Sequence, residues 1–366
     1  MRTALAEKLL IQIMGWTLDE VSTERPLLQS LANFKYNEYQ QFSPGIRFVE
    51  SLVLWLKQFE SNEEKRIAYK FFLEELIFIS NSEVFHLLSI SFPDIINPIL
   101  IKKAAKQANI DSYHIKKIVG SPEYKKVSKQ TLYIGLSDGS KIDQFRRACN
   151  INNEQVSSTY QINYEKAQDM LGELNKDSPE NNKFNSIFLI DDFTASGISY
   201  FRANEKKGKI YKFLKSIYGN PEDETEKEKN LKSILDLNGL EIHILFYIAT
   251  EESIQLLKEA TSQWKTENNL TVDITVQAVQ LISGDIKRNI IEKDGFLNIL
   301  KKYFDDTVID RHFKMGRHEH PYLGFNECSL PLVLSHNAPN NSLPILWLPD
   351  DKKYRGLFPR VSRHKQ

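Results

Sequence analysis

The sequence predicts an α/β protein, a parallel β-sheet flanked by helices, with a mostly helical N-terminal domain. Three observations carry this. Apolar, β-prone runs at residues 131–136, 187–190, 240–249 and 270–282 are separated by stretches with helical periodicity. Strands alternating with helices imply parallel pairing through right-handed crossovers. Residues 1 to about 130 read as mostly helical. A chain of 366 residues exceeds one ordinary core, so two domains are expected, at 1–128 and 129–366.

Composition narrows the classes. Hydrophobic residues make up 41% of the chain, enough for packed interiors. Lys+Arg and Asp+Glu both number 48, so no global basic field points to nucleic acid, though a local patch is compatible with the count. Two cysteines, Cys149 and Cys328, make no disulfide framework, and a cytoplasmic protein is expected. No signal peptide is expected, and apolar stretches such as 76–79 are too short to span a bilayer.

The elements follow in order. Residues 4–14 have helical spacing. Residues 48–56 form an amphipathic helix ending near Phe59. Asn62-Glu63-Glu64-Lys65 opens the next helix, through Ala68, Phe71, Phe72 and Leu76, and Ser82-Glu83 starts a third. Three short helices suit a bundle or a winged-helix-like module. Such a module binds nucleic acid or a partner, or it serves as a scaffold for the other domain. The lysines at 102, 103, 106, 116, 117, 125 and 126 read as solvated faces. After the strand at 131–136 comes a small polar loop, Ser137-Asp138-Gly139-Ser140-Lys141. A helix carrying Arg146 and Arg147 follows. Residues 154–174 read as helical and 175–182 as a polar linker. Charged residues 220–229 read as an exposed insertion. The strand at 240–249 ends in Thr250-Glu251-Glu252, a helix covers 252–264, and the strand at 270–282 closes the sheet.

The central stretch is 188–199. The apolar run 187–190 is followed at once by Asp191 and Asp192, then by the small-residue turn Thr194-Ala195-Ser196-Gly197. Ser199-Tyr200-Phe201-Arg202 is expected to open a helix. Amides at a helix start lack partners and sit at the positive end of the dipole, and small residues let a phosphate approach the main chain. The two carboxylates would repel a bare phosphate. They suit ribose hydroxyls, or a divalent cation joining sugar and diphosphate oxygens. The alternative is a strand that ends in an Asp-rich turn.

This stretch resembles the phosphoribosyl-diphosphate (PRPP) motif of type I phosphoribosyltransferases. The resemblance implies that Asp191 and Asp192 hold the ribose 2- and 3-hydroxyls. It implies that Thr194, Ala195, Ser196, Gly197, Ile198 and Ser199 hold the 5-phosphate. The loop Ser137, Asp138, Gly139, Ser140 and Lys141 sits where that fold carries its pyrophosphate loop. Lys141 with Arg146 or Arg147 would offset the diphosphate charge. Mg2+ is the expected cofactor, met by Asp191 and Asp192 only indirectly, through ribose or water.

Toward the C-terminus, His318-Glu319-His320 and Cys328 match no structural zinc spacing. The Asn-Pro-rich segment 336–347 reads as an irregular active-site wall. Together with the loops above and Leu357-Phe358-Pro359-Arg360, it is similar to phosphoribosyltransferase-like proteins of bacterial conflict systems. Some of those stand beside retron reverse transcriptases in anti-phage defence. The resemblance implies a toxic effector held by a partner, a reverse transcriptase with its RNA/DNA product, and an oligomer is compatible with it. The activity expected is Mg2+-dependent glycosyl transfer or cleavage with PRPP or a related (deoxy)ribose phosphate. The competing expectation is a non-catalytic regulator that senses PRPP or a nucleotide and binds nucleic acid or protein through its N-terminal half.

Overall fold

The structure is a computed structural model. It describes residues 3–361 apart from Asp177, Asp294 and His312. The chain folds as two compact units, Met1–Val84 with Ser283–Gln366, and Phe85–Ile282. The linear division expected at 128/129 therefore falls elsewhere, because the C-terminal segment joins the N-terminal helices.

Seven strands are described: β1 (Ile77–Ile79), β2 (Thr131–Gly135), β3 (Val156–Ser157), β4 (Ser186–Thr194), β5 (Glu241–Thr250), β6 (Asp273–Ile282) and β7 (Leu332–Leu334). In the second unit, five of them form one fully parallel sheet in the order β3-β2-β4-β5-β6. The expected α/β architecture is therefore present. β4 and β5 are central, so their apolar runs are continuous and not alternating. Ile187, Leu189, Ile242, Ile244 and Phe246 are buried against helix residues such as Ile210, Phe213, Leu214 and Leu257. Lys103, from the helix Asn97–Ala108, ties the N-terminal end of the sheet by pairing with Glu241 at 3.1 Å and donating to Asn185.

Two local expectations are corrected, and a third stretch gains a helix. Residues 154–174 are not one helix: Val156–Ser157 adds a two-residue edge strand beside β2, and the helix begins only at Tyr164. Its start is fixed by the Asn163 side chain, which accepts from the Lys166 amide. No helix opens at Ser199. Residues 198–207 make a turn and an antiparallel bridge between Arg202 and Lys207, and the helix Lys209–Tyr218 starts after Gly208. In the charged 220–229 stretch, Thr225 and Glu228 form a capping box that starts a helix at Glu226.

In the first unit, the helices Thr3–Met14, Leu18–Phe34, Phe48–Lys57 and Asn62–Glu74 are present, the last capped by Ser61 with Glu64. β1 and β7 pair in parallel. Segment 336–347, read from sequence as an active-site wall, is instead interior to this unit. Leu343, Ile345 and Leu346 are buried, and the Trp55 indole donates to the Ile345 carbonyl at 2.9 Å. The helical stretch Asn81–Ala108 is long and apolar enough to cross a membrane by length and composition, which the shorter runs seen in the sequence did not suggest.

Candidate functional site

The strand order creates the site. Running from β2 outward, the chain goes first to β3 on one side and then to β4, β5 and β6 on the other. Loops leaving the carboxyl ends of β2 and β4 thus diverge at a topological switch point, where open parallel sheets bind ligands. β2 and β4 are paired from Thr131↔Ser186 to Gly135↔Ile190. That register sets Ser137–Lys141 beside Asp191 and Asp192.

Contacts between the loops bear this out. The Ser137 hydroxyl donates to Asp191 Oδ1 at 2.5 Å. A Cβ built on Gly139 would stand 2.6 Å from Asp192 Oδ2, so only glycine lets this loop lie against the second carboxylate. The Tyr247 hydroxyl of β5 donates to the Ser140 carbonyl at 2.9 Å and holds the loop from below. The third loop arrives from β5. Thr250 Oγ1 donates to the Ala195 carbonyl at 2.6 Å, and Ser253 Oγ donates to the Thr194 carbonyl at 3.3 Å. All three loops expected from sequence therefore meet.

The loop after β4 has a consistent polarity. Its carbonyls at 194 and 195 are taken by Ser253 and Thr250. Among the described residues, the main-chain amides of Ala195, Ser196, Gly197, Ile198 and Ser199 find no acceptor, nor do those of Ser137, Asp138 and Gly139 in the first loop. The Thr194 and Ser196 hydroxyls also take no partner among the described residues, and both reach the surface of the loop. A row of unpaired adjacent main-chain amides makes an anion-binding concavity. Gly197 has φ +71, the left-handed value that glycine adopts without strain. This polarity comes from the loop alone. The helix dipole invoked from sequence does not contribute at this point, since the next helix begins at Lys209.

The two aspartates differ. Asp192 is half-buried, with its Oδ1 accepting the Phe193 amide at 2.9 Å. Asp191, expected to face a ribose, is fully buried. Besides Ser137, it accepts from the Asp192 amide at 3.2 Å, the Tyr200 hydroxyl at 2.9 Å and Lys209 Nζ at 2.7 Å. Its two oxygens therefore tie together the first loop, the hairpin and the following helix. Burial and the neighbouring Asp192 charge push the Asp191 carboxyl above its usual range, against the pull of Lys209. Burial and the Asp191 charge raise Tyr200 well above its ordinary value, which keeps its hydroxyl a donor.

Lys141 is the left-handed residue, φ 48, between the first loop and the helix Ile142–Ala148. Neither Lys141 nor Arg146 has an ion-pair partner among the described residues, and Arg146 Nε is buried without a hydrogen bond. Arg147 is exposed. Among the described residues no group of three His, Cys, Asp or Glu side chains is placed to hold a metal. Asp191 is already neutralised by Lys209, so Asp192 is the carboxylate of the pair that can meet a cation. One such carboxylate makes no all-protein Mg2+ cage, and an ion there would need further oxygens from the ligand.

Sequence reasoning missed Tyr200, Lys209, Tyr247 and Ser253. The run Ala203-Asn204-Glu205-Lys206-Lys207-Gly208 carries a turn signal that places a reversal there and brings Lys209 back toward Asp191. No comparable signal marks Tyr247, whose role depends on strand register.

No curated protein and no solved structure matches this chain. A family model described as PRTase-CE matches residues 52–360, most of the chain and the whole of the site. With an all-parallel sheet, a switch point and an acidic doublet ahead of an amide-lined loop, the chain belongs to the phosphoribosyltransferase-like PRTase-CE family.

Proposed function

We propose that the protein is a phosphoribosyltransferase-type enzyme. Its ligand is PRPP or a related (deoxy)ribose phosphate, and it transfers or cleaves the glycosyl bond on a nucleotide or macromolecular acceptor. The observation that carries this is the run of unpartnered amides at 195–199, set at the switch point beside Asp192. In this reading Thr194–Ser199 hold the 5-phosphate and Asp192 orients the ribose. Departure of the diphosphate leaves an oxocarbenium-like C1. Lys141, Arg146 and the amides of 137–139 stabilise the charge that builds on the leaving group. Mg2+, carried in on the diphosphate, supplies further neutralisation there. Asp191 keeps its place beneath the site and orients the loops.

The test is turnover of labelled PRPP by the purified chain. Asp192→Asn is expected to lower the rate at least about 100-fold with an unchanged unfolding midpoint, the effect of losing a positioning carboxylate. Full activity in Asp192→Asn would overturn the assignment.

A sensing regulator is the second reading, favoured by one observation: Asp191 is locked by Lys209 and offers no reactive carboxylate. Saturable PRPP binding without turnover would select it. The defence role, and a reverse transcriptase partner with its nucleic acid, belong to the same proposal and rest on family resemblance. Co-purification of the full chain with such a complex tests them.

A further inference from the structure

We propose that the open edge of the parallel sheet is a docking strip for an extended, acidic polypeptide segment, which adds to β6 as a further strand. The inference concerns an interaction surface and does not rest on the phosphoribosyl reading.

The two edges of the sheet are built differently. β3 is two residues long, a short edge that gives a neighbouring chain little to pair with. β6 runs for ten residues, and its pairing with β5 extends from Glu241↔Asp273 to Thr250↔Ile282. Along the free side of such a strand, every second residue turns its N–H and C=O away from the sheet. Among the described residues, no main-chain group outside β5 meets them; the Gln280 side chain donates to the Leu281 carbonyl at 2.9 Å. The devices that protect an edge from pairing are not built into this one. The strand contains no Lys, Arg, Pro or Gly, and its one charge, Asp273, stands at its start. Gln277, Gln280 and Leu281 are exposed.

A groove beside this edge indicates what kind of strand fits. It has a volume of about 370 Å³ and lies between residues 274–277 of β6 and one face of the helix Glu251–Glu267. That face carries Lys258, Ser262 and Lys265, at the i, i+4, i+7 spacing that aligns side chains on a helix. Lys258 is exposed and Lys265 half-buried, and neither ammonium pairs with a carboxylate among the described residues. Acids of the same helix are engaged elsewhere. Glu259 accepts from Gln255 at 2.6 Å, and Glu267 accepts from Gln263 at 2.8 Å. An added strand lays its backbone on β6 and sets every second side chain over the groove, within reach of the two cations. Carboxylates at those positions meet the lysines, whereas basic side chains there would face like charge. A second copy of β6 does not supply them: beyond Asp273 the strand carries no charge, so self-pairing leaves both lysines unmet.

The experiment titrates the full chain at low salt with fluorescent, end-blocked peptides of about eight residues, a length that suits an edge of this kind. One alternates valine with glutamate, a second alternates valine with lysine, and a third is the glutamate peptide with alternate amides N-methylated. The glutamate peptide is expected to bind at least about tenfold tighter than the lysine peptide. N-methylation is expected to cost about tenfold or more, because it removes main-chain donors. Lys258→Glu with Lys265→Glu is expected to reverse the preference between the first two peptides, and Lys258→Glu alone to narrow it, with an unchanged unfolding midpoint. No binding of the glutamate peptide, equal binding of the lysine peptide, or a preference that survives in both variants would overturn the proposal. Equal binding after N-methylation would reduce the contact to charge attraction and overturn strand addition. A dimer of the chain that the glutamate peptide dissociates would give the edge to a second copy and overturn the acidic partner.

Discussion

Asp191 and Asp192 are sequence neighbours placed in different surroundings by the strand's alternation. Asp191 points into the layer beneath the sheet's carboxyl end and cross-links three segments; Asp192 points toward Gly139 at the loop face. Their substitutions should therefore differ in kind. Asp191→Ala removes the carboxylate that ties the first loop, the Tyr200 hydroxyl and Lys209 together, and is expected to cost about 1–3 kcal/mol, read as a lower urea midpoint. An unchanged midpoint would contradict the cross-link. Gly139→Ala pushes a methyl group against the Asp192 carboxylate and is expected to weaken ribose phosphate binding more than tenfold. Binding at the wild-type level would show that the first loop stands away from the acid. Cys149 gives a third residue-scale check. Burial pushes its thiol up to about 11, so little thiolate exists at neutral pH. Slow labelling of the native protein by a thiol reagent at about pH 7.5 is expected, and labelling at the rate of the unfolded chain would contradict it.

At the scale of elements, strands were legible where an apolar run was long and central. β4 and β5 read directly from sequence because both faces are buried. β3 did not, since two residues at a sheet edge carry no period. The helix expected at Ser199 was replaced by a hairpin because the polar run 203–208 supplies a turn and Gly208 a left-handed entry. The loops of the site were legible as small-residue turns after strands. The lock on Asp191 was not, since it needs a lysine 18 residues on that only the hairpin brings back. The helix start near residue 62 was legible, although its cap is Ser61 and not Asn62, and the helix Asn62–Glu74 shows the energetic side of capping. Glu64 closes the capping box with Ser61 and also accepts from Lys302 and Tyr303. Burial alone would raise its carboxyl, but these hydrogen bonds hold it down at about 2. The depressed value means the contribution is fully present above about 4.5 and is lost as pH falls through about 2. Glu64→Gln should therefore melt below wild type at about pH 7, with the gap closing between about pH 4.5 and pH 2. A gap independent of pH would contradict the pairing.

At the scale of the whole molecule, the chain leaves its first unit after Val84, builds the parallel sheet, and returns at Ser283 to complete what it began. That return was not legible from composition, because the closing residues are an irregular Asn-Pro-rich segment and not a periodic one. Its packing is nevertheless specific. Phe358 is fully buried within a ring of aromatic neighbours, Tyr36, Tyr39, Phe42, Phe48 and Phe78, and the Tyr39 hydroxyl donates to its carbonyl at 3.0 Å. Phe358→Ala is expected to cost about 3–5 kcal/mol of unfolding free energy. A cost below about 1 kcal/mol would mean that the N-terminal helices fold without the C-terminal segment. The second unit contributes in another way, by setting a parallel sheet so that three loops converge, with the amides of 137–139 and 195–199 unpaired among the described residues. That convergence is the central claim, and crystals of the full chain soaked with PRPP and Mg2+ test it most directly. The expected result is the 5-phosphate on the amides of 195–199 with a ribose hydroxyl on Asp192. Phosphate density elsewhere, or none over that loop at saturating ligand, would contradict it.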